Sequence, residues 1–170
     1  MCSSDLGIDS IEHGIFMDEV CCTEMKAAGT YLVPTLAAVN NILRHADQGI
    51  PAYAVEKSQR VAERHRASVK MYYDAGGRIA MGTDAGTPFN RHGENALELE
   101  YMVDIGMSPL DALVSGTSTA ANLLRESERG RVESGCFADL LVVNGDPCET
   151  ITMASRKENH RLVVKNGVEI

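Results

Sequence analysis

Two short stretches of this chain each carry, near their end, a side chain that can bind a metal or move a proton. Gly82-Thr83-Asp84-Ala85-Gly86 places a lone carboxylate after the apolar run Ile79-Ala80-Met81. The segment from Ile8 to Gly14 alternates apolar and polar residues and reaches a histidine, His13, just before its final glycine, which is typical of a strand. In a parallel barrel the carboxyl ends of the strands carry the chemistry. The pattern therefore predicts two strands that each deliver one metal-capable side chain to the same end of a sheet.

Each of these residues has a simpler interpretation when it is taken alone. An aspartate at a strand end is often a turn former or a helix N-cap. An isolated histidine such as His13 is more often a structural residue than a ligand. The pair, together with the motifs that accompany it, favours a site over these two alternatives.

Four motifs occur in a fixed order along nearly the whole chain. They are Ile11-Glu12-His13-Gly14, Gly29-Thr30-Tyr31-Leu32-Val33-Pro34-Thr35, Gly82-Thr83-Asp84-Ala85-Gly86 and Gly135-Cys136-Phe137-Ala138-Asp139-Leu140-Leu141-Val142-Val143. Together they resemble the C-terminal half of a metal-dependent amidohydrolase, and within that superfamily the imidazolonepropionase-like and Xaa-Pro dipeptidase group.

The resemblance implies an α/β fold that is only part of a (β/α)8 TIM barrel. Residues 7–125 would hold strands six to eight with their helices, and residues 126–170 would form a piece of a small composite β-rich domain. A complete barrel takes about 250 residues, whereas this chain has 170. The family's His-x-His pair and its fourth- and fifth-strand ligands have no counterpart here. We therefore expect a fragment, with residues 1–6 as a non-native tail that resembles a translated sequencing adapter.

The resemblance also implies hydrolysis of a carbon–nitrogen bond by water activated on a divalent metal, most often zinc, with one or two ions in the complete enzyme. Asp84 matches the eighth-strand aspartate that touches the metal and passes a proton to the departing nitrogen. His13 matches the sixth-strand histidine, which binds the second metal or lies in the outer shell. His92, in the loop after the eighth strand, is expected to bind substrate, and a solvated loop histidine is the alternative.

The remaining candidates receive no catalytic role from the sequence. His45 and His65 fall in helical stretches flanked by arginine, and both are expected at the surface. Asp139 is expected to tie a turn together in the small β domain instead of binding metal.

The composition of the chain limits the kinds of molecule that it is expected to bind. The net charge of -8 argues against nucleic acid and anionic membranes as partners, and no apolar run approaches the ~20 residues of a membrane span. The five cysteines form no Cys-x-x-Cys pair, which favours a reduced, cytoplasmic location. A small molecule or a dipeptide is the expected substrate.

Hydrophobic periodicity and turn residues predict the order of the elements. Helices are expected over 18–28, 53–75, 94–105 and 118–124, with an irregular helical insertion over 37–48 and another helix capped by Ser108 and Pro109. Strands are expected over 30–33 and 78–83. After Gly130 the period changes to two, which predicts strands over 139–143 and 161–164 with turns at Asn144-Gly145 and Asn166-Gly167. A boundary is therefore expected near 126–130.

Two classes of function stay open at this point. The chain is either a catalytic portion of an amidohydrolase or a catalytically inactive half-barrel that acts as a folding or association module. In a cut barrel we expect the apolar residues Leu32, Val33, Ile79 and Met81 to be exposed. Such exposure would make a homo-oligomer possible.

Overall fold

A computed structural model describes residues 7–170, and strands alternate with helices through its first two thirds. The tail expected at residues 1–6 lies outside this described part. The first three strands and the helices around them are β1 Ser10–Glu12, α1 Glu19–Ala28, β2 Tyr31–Val33, α2 Leu36–Arg44, α3 Ala52–Asp74, β3 Arg78–Ile79 and α4 Leu97–Asp104. A continuous helical stretch follows, composed of α5 Pro109–Val114, a π-helical turn Ser115–Thr119 and α6 Ala120–Leu123.

The first sheet is parallel, with strand order β1-β2-β3. Ile11 is level with Leu32, and Leu32 is level with Ile79. Because successive parallel strands need a crossover, α1 joins β1 to β2, and α2 and α3 join β2 to β3. All three carboxyl ends therefore meet at one edge of the sheet.

Several element ends form as the local sequence predicts. Asp18 caps α1 by accepting a hydrogen bond of 2.8 Å from the backbone N–H of Cys21, and Gly29 ends the helix in the left-handed conformation. Ser108 caps α5, with Pro109 at the first helical position. The long helix α3 covers nearly the whole of its expected range.

The third strand is shorter than expected. The sequence predicts a strand over 78–83, but regular pairing ends at Ile79. The Ala80 N–H still bonds the Leu32 carbonyl at 3.0 Å, whereas the Met81 N–H turns to the Ser115 carbonyl in the π-helical turn at 3.0 Å. Between Ala80 and Met81 the backbone thus changes its hydrogen-bond partner from the sheet to a helix. Regular strand periodicity does not predict this change.

The core lies between the parallel sheet and its helices. Its buried side chains come from β2, β3 and the surrounding helices, with the partly buried Ile11 of β1 packed against them; among the buried ones are Met25, Leu32, Leu36, Val69, Tyr72, Ile79, Leu99 and Met102. The expected exposure of the strand residues is wrong for Leu32, Val33 and Ile79, which are buried, while Met81 is half-buried. Buried side chains of α2, α3 and α4 belong to the same core as Leu32 and Ile79, so these strands do not need a complete barrel to be covered.

The C-terminal sheet is antiparallel, with order β4-β5-β6. Its elements are β4 Leu140–Val143, α7 Thr152–Ser155, a 3-10 turn Lys157–Asn159, β5 His160–Lys165 and β6 Val168–Glu169. Asn166 and Gly167 both have positive φ and form the predicted tight turn. Ile151 and Ala154, in and just before α7, belong to the same core as Met102, so this short helix attaches the second sheet region to the first.

Among residues 7–170, no helix combines the length and the apolar character that crossing a membrane requires.

Candidate functional site at the carboxyl edge of the parallel sheet

Three residues beyond the carboxyl ends of the parallel strands have an unusual backbone. His13, Thr35 and Asp84 have φ values of 65°, 49° and 53°. Positive φ is uncommon outside glycine, and such strained positions cluster at functional sites. One of these residues follows each of β1, β2 and β3, so the strain recurs at one edge of the sheet.

His13 is held at its backbone and at one ring nitrogen. Its N–H donates to the Val33 carbonyl at 2.8 Å, which extends the pairing of β1 with β2. Its Nδ1 lies 2.6 Å from the Thr35 hydroxyl. The ring is otherwise exposed. Gly14, which follows, has φ of 61° and sits so close to Leu32 that a Cβ would lie 2.6 Å from Leu32 Cδ1. The backbone after His13 therefore needs glycine.

Asp84 presents an exposed carboxylate at the same edge. Within residues 7–170 its side chain makes no hydrogen bond or ion pair. In strand register it lies five residues past Ile79, whereas His13 lies two residues past Ile11, so the two residues are not level with each other along the strands. The chain approaches β2 closely on the way there, since a Cβ at Gly82 would come 2.3 Å from Val33 Cγ1.

Asn90 closes the loop that follows Asp84. Its buried side-chain amide donates to the carbonyls of Thr83, at 2.5 Å, and Asp84, at 3.1 Å. The backbone carbonyl of Asn90 accepts from the Gly86 N–H at 2.8 Å. These bonds fix the backbone of Asp84 and leave its carboxylate uncommitted. The sequence signal for this role is weak, because an asparagine in a Pro-containing loop is ordinary.

His92 lies two residues beyond Asn90 and is exposed. Within the described part of the chain its ring has no hydrogen-bond or ring partner. His45 is half-buried and stacks in parallel on Phe89, with ring centroids 4.4 Å apart, so it packs more closely than the expected surface position implies.

The expectation that His65 is a surface residue is wrong. The ring is 1% exposed, and its Nε2–H donates to the Pro34 carbonyl at 2.8 Å. Burial lowers the pKa of His65, while the carbonyls of Pro34 and His13 act to raise it. Next to it on α3, Ser68 donates to the Gly14 carbonyl at 2.5 Å. Helix α3 thereby anchors the segments that follow β1 and β2, a role that flanking arginines conceal in the sequence.

Glu98 is a fully buried acid that sequence reasoning missed. Its two carboxyl oxygens accept hydrogen bonds of 2.7 Å from the N–H groups of Leu36 and Ala37 at the start of α2. Burial raises the pKa of Glu98 to about 8, against the lowering effect of these two donors. A signal was present, because Glu98 lies four residues before Met102 and so shares the buried face of α4.

The chemistry of the donors at this edge suits a divalent metal in part. An imidazole nitrogen and a carboxylate oxygen are both zinc ligands. Among the described residues no group of three or more histidine, cysteine, aspartate or glutamate side chains is arranged to hold an ion. A tetrahedral catalytic site takes three protein ligands and a water, so His13 and Asp84 would need ligands from outside residues 7–170.

Comparison with known proteins gives a consistent family. The profile of the Amidohydrolase family matches residues 3–170. Ochratoxinase from Aspergillus niger is 28% identical over 170 residues, which cover 98% of this chain and 35% of that enzyme. An imidazolonepropionase from Pyrobaculum arsenaticum is 31% identical over 90 residues, covering 52% of this chain and 22% of the enzyme.

A solved structure shares both the fold and more of the sequence. A Xaa-Pro dipeptidase with methionine bound in its active site superposes with a TM-score of 0.88 at 37% identity, covering 99% of this chain and 41% of that one. The chain therefore spans about two fifths of the dipeptidase and less of the other two enzymes. A match that runs through both sheets and both strand-end motifs carries the assignment: the chain belongs to the amidohydrolase family.

Proposed function

We propose that these residues are the C-terminal catalytic portion of a metal-dependent amidohydrolase that hydrolyses a carbon–nitrogen bond in a small molecule or a dipeptide. One observation carries the proposal. In a chain of this family, His13 and Asp84 follow the carboxyl ends of strands in one parallel sheet, and both have left-handed backbones. In barrel enzymes that end of the strands carries the active site.

The proposed architecture follows from the same likeness. We assign β1, β2 and β3 to strands six, seven and eight of a TIM barrel. Residues 7–125 would be the C-terminal part of that catalytic barrel, and residues 126–170 a piece of the small composite β domain. The length of the relatives supports this assignment, because their structures extend well beyond the matched part.

The metal would be held in part by His13 and Asp84. With its Nδ1 at the Thr35 hydroxyl, His13 keeps Nε2 for a ligand, and the exposed Asp84 carboxylate makes no hydrogen bond or ion pair among residues 7–170. A divalent ion bound there, proposed to be zinc, would lower the pKa of a water to about 7 and polarise the scissile carbonyl. The remaining ligands would come from outside the described residues.

The chain's own side chains have distinct proposed roles. Asp84 would accept a proton from the attacking water and pass it to the departing nitrogen, for which an exposed and unpaired carboxylate is suited. His13 would act as a ligand. His92 would contact the substrate from the loop that Asn90 closes, and an exposed ring without a partner among residues 7–170 suits that role.

The substrate class is proposed from the enzymes named above, which include a dipeptidase, an imidazolonepropionase and ochratoxinase. We propose an amide, a peptide or a cyclic amide of low molecular mass. The acidic net charge of -8 gives no reason to expect a nucleic acid.

The test uses the parent protein with its preceding sequence restored. Metal content is measured by elemental analysis, and hydrolysis of Xaa-Pro dipeptides, N-acyl amino acids and cyclic amides is followed by mass spectrometry. His13→Ala should lower the number of ions per chain, whereas His160→Gln, a histidine change in the second sheet, should not. His92→Ala should raise KM and leave kcat nearly unchanged.

An unchanged metal count in His13→Ala would place His13 outside the metal shell. A parent that holds no metal would contradict the proposed function and favour the inactive half-barrel that acts as a folding or association module. A metal-loaded parent that hydrolyses none of these compounds would contradict only the proposed substrate class.

A further inference from the structure

The start of α2 is capped by an unexpected residue. Thr35 occupies the N-cap position, where a threonine ordinarily accepts a hydrogen bond from a backbone N–H of the first turn. Here the Thr35 side chain makes no such bond, and its backbone is left-handed with φ of 49° and ψ of 39°. The expected local cap is therefore missing.

Glu98 supplies the cap from another helix. Leu36 lies 62 residues away in the chain, yet its N–H and that of Ala37 each reach one Glu98 carboxyl oxygen at 2.7 Å. Leu36 and Ala37 are 0% and 1% exposed, so water cannot satisfy these two donors. Tyr101 adds a second link between α4 and α2, since its hydroxyl donates to the Asn41 side chain at 2.7 Å.

The consequence reaches His13. Because Glu98 satisfies the first turn of α2, the Thr35 hydroxyl can lie 2.6 Å from His13 Nδ1 instead. The His65 side chain donates to the carbonyl of Pro34, the residue before Thr35, at 2.8 Å. This bond fixes the backbone position from which Thr35 extends. Without Glu98, the nearest alternative acceptor for the buried N–H groups would be the Thr35 hydroxyl itself. The N–H groups at the start of α2 and the His13 ring would thus compete for the Thr35 hydroxyl oxygen.

We propose that Glu98 and Thr35 are positioning residues for His13: Glu98 caps α2 so that Thr35 can accept from Nδ1–H of His13, which leaves Nε2 as the ligand atom. The partner of one ring nitrogen decides which nitrogen is available to a metal. The inference rests on the proposed role of His13, and it adds two residues that act through His13.

The test measures the His13 ring by NMR in the 170-residue chain, with no metal or substrate present. Five histidines carry ring ¹⁵N labels, and the variant His13→Asn assigns the signal. In the unmodified chain we expect Nδ1 of neutral His13 to carry the proton. Thr35→Val should shift the ring nitrogens towards a mixture of tautomers, and Thr35→Ser should restore the original signal.

Above pH 8, where both oxygens of the ionised Glu98 accept, Glu98→Gln should cause a shift in the same direction as Thr35→Val, because an amide cannot accept from two N–H groups with both of its heavy atoms. Glu94→Gln, three residues before α4 begins, is the matched control and should leave His13 unchanged. A Glu98→Gln spectrum identical to that of the unmodified chain would overturn the role of Glu98.

A Glu98 variant that fails to fold does not remove the test. Serine caps helices at least as well as threonine, so Thr35→Ser would turn to α2 if Glu98 were not the cap. A His13 signal lost in Thr35→Ser, or kept in Thr35→Val, would therefore overturn the proposal.

A second readout separates this inference from the proposed function. In the metal-binding parent, Thr35→Val and Glu98→Gln should each weaken metal affinity by about 10–100-fold, the range for outer-shell partners of a ligand. If the parent binds no metal, the proposed function fails while the NMR result still decides the tautomer. If metal binds but its affinity is unchanged in both variants, only the positioning role fails.

Discussion

The two sheets of this chain are stabilised in different ways. In the parallel sheet Leu32 is fully buried and Ile79 is 5% exposed, since helices cover the strands. In the antiparallel sheet Leu141 is 43% exposed and Val168 is 64% exposed. The first sheet is held by apolar packing, whereas the second depends more on polar contacts and on α7, through which it reaches the first core.

Two aspartates show what this difference means for chemistry. Asp139 accepts from the Asn166 N–H at 2.9 Å and from Lys165 at 2.6 Å, and it also pairs with Arg129. It ties the β5–β6 turn, as the sequence predicts. Asp84 has no such partner among residues 7–170. Among the described residues, the second sheet thus holds its aspartate in hydrogen bonds and ion pairs, whereas the edge of the first sheet leaves one exposed.

The largest expected effect separates these two aspartates by activity. In the parent enzyme, Asp84→Asn should lower kcat by about 10²–10⁴-fold, the range for loss of a general acid–base. Asparagine tolerates the left-handed backbone of position 84, so the melting temperature should stay nearly unchanged. Steady-state kinetics and thermal unfolding measure the two quantities.

Asp139→Asn is the matched control for this change. It should keep most of the activity and lower the melting temperature. A large fall of kcat in Asp139→Asn, together with a lowered melting temperature in Asp84→Asn, would contradict the roles given to the two aspartates.

A second prediction compares the packing of the two sheets. Leu32→Ala should lower the free energy of unfolding by about 2–5 kcal/mol, because it leaves a cavity in a closed core. Leu141→Ala removes the same atoms from a half-solvated strand and should cost less than about 1 kcal/mol. Urea unfolding followed by circular dichroism gives both values. Equal losses would show that the second sheet is packed as tightly as the first.

A third prediction uses the buried acid of the first region. The Glu98 carboxyl titrates near 4.5 in the unfolded chain and near 8 in the fold. Between these values the folded chain holds a proton that the unfolded chain has released, so stability should fall as pH rises through this window. The change should be on the order of a few kcal/mol. Glu98→Gln should flatten the profile, and an unchanged pH dependence in that variant would contradict the assignment.

The smallest expected effect lies in the second region. Hydrogen bonds from Lys165 and the Asn166 N–H lower the pKa of Asp139 to about 2. Its stabilising contribution should be complete above the usual value of about 3.8 and lost as pH falls through about 2. Amide exchange of β5 and β6 in acid, compared with Asp139→Asn, measures the loss. Loss of protection already at pH 5 would indicate a different titrating group.

Local signals predicted much of the fold because they act within a few residues. Gly29 ends α1, Pro109 begins α5, and Asn166-Gly167 turns the chain between strands, all as the sequence indicates. The strand at 78–83 was predicted too long because the partner of the Met81 N–H is Ser115, more than thirty residues away.

The same distance in sequence limits prediction of the site. His13 and Asp84 can be singled out by residue type and by the glycines beside them. Their supports cannot, because each support depends on a distant backbone group: His65 on the Pro34 carbonyl, and Glu98 on two N–H groups of α2. Helix periodicity places Glu98 on the buried face of α4, but it does not identify the two N–H groups that the carboxyl bonds. The arginines that flank His65 likewise give no sign of the Pro34 carbonyl.

The number of residues in the π-helical turn Ser115–Thr119 determines how the neighbouring backbone is oriented. A π-helical turn contains one residue more than the corresponding α-helical turn. This extra residue rotates the following helix α6 by about 100° relative to α5. Deleting a single residue here would convert the turn to α-helix, and the Ser115 carbonyl would no longer be directed at the Met81 N–H, three residues before Asp84. When relatives are aligned, a one-residue gap at 115–119 therefore indicates an altered strand end, whereas the same gap in the surface loop at 144–147 alters only the loop.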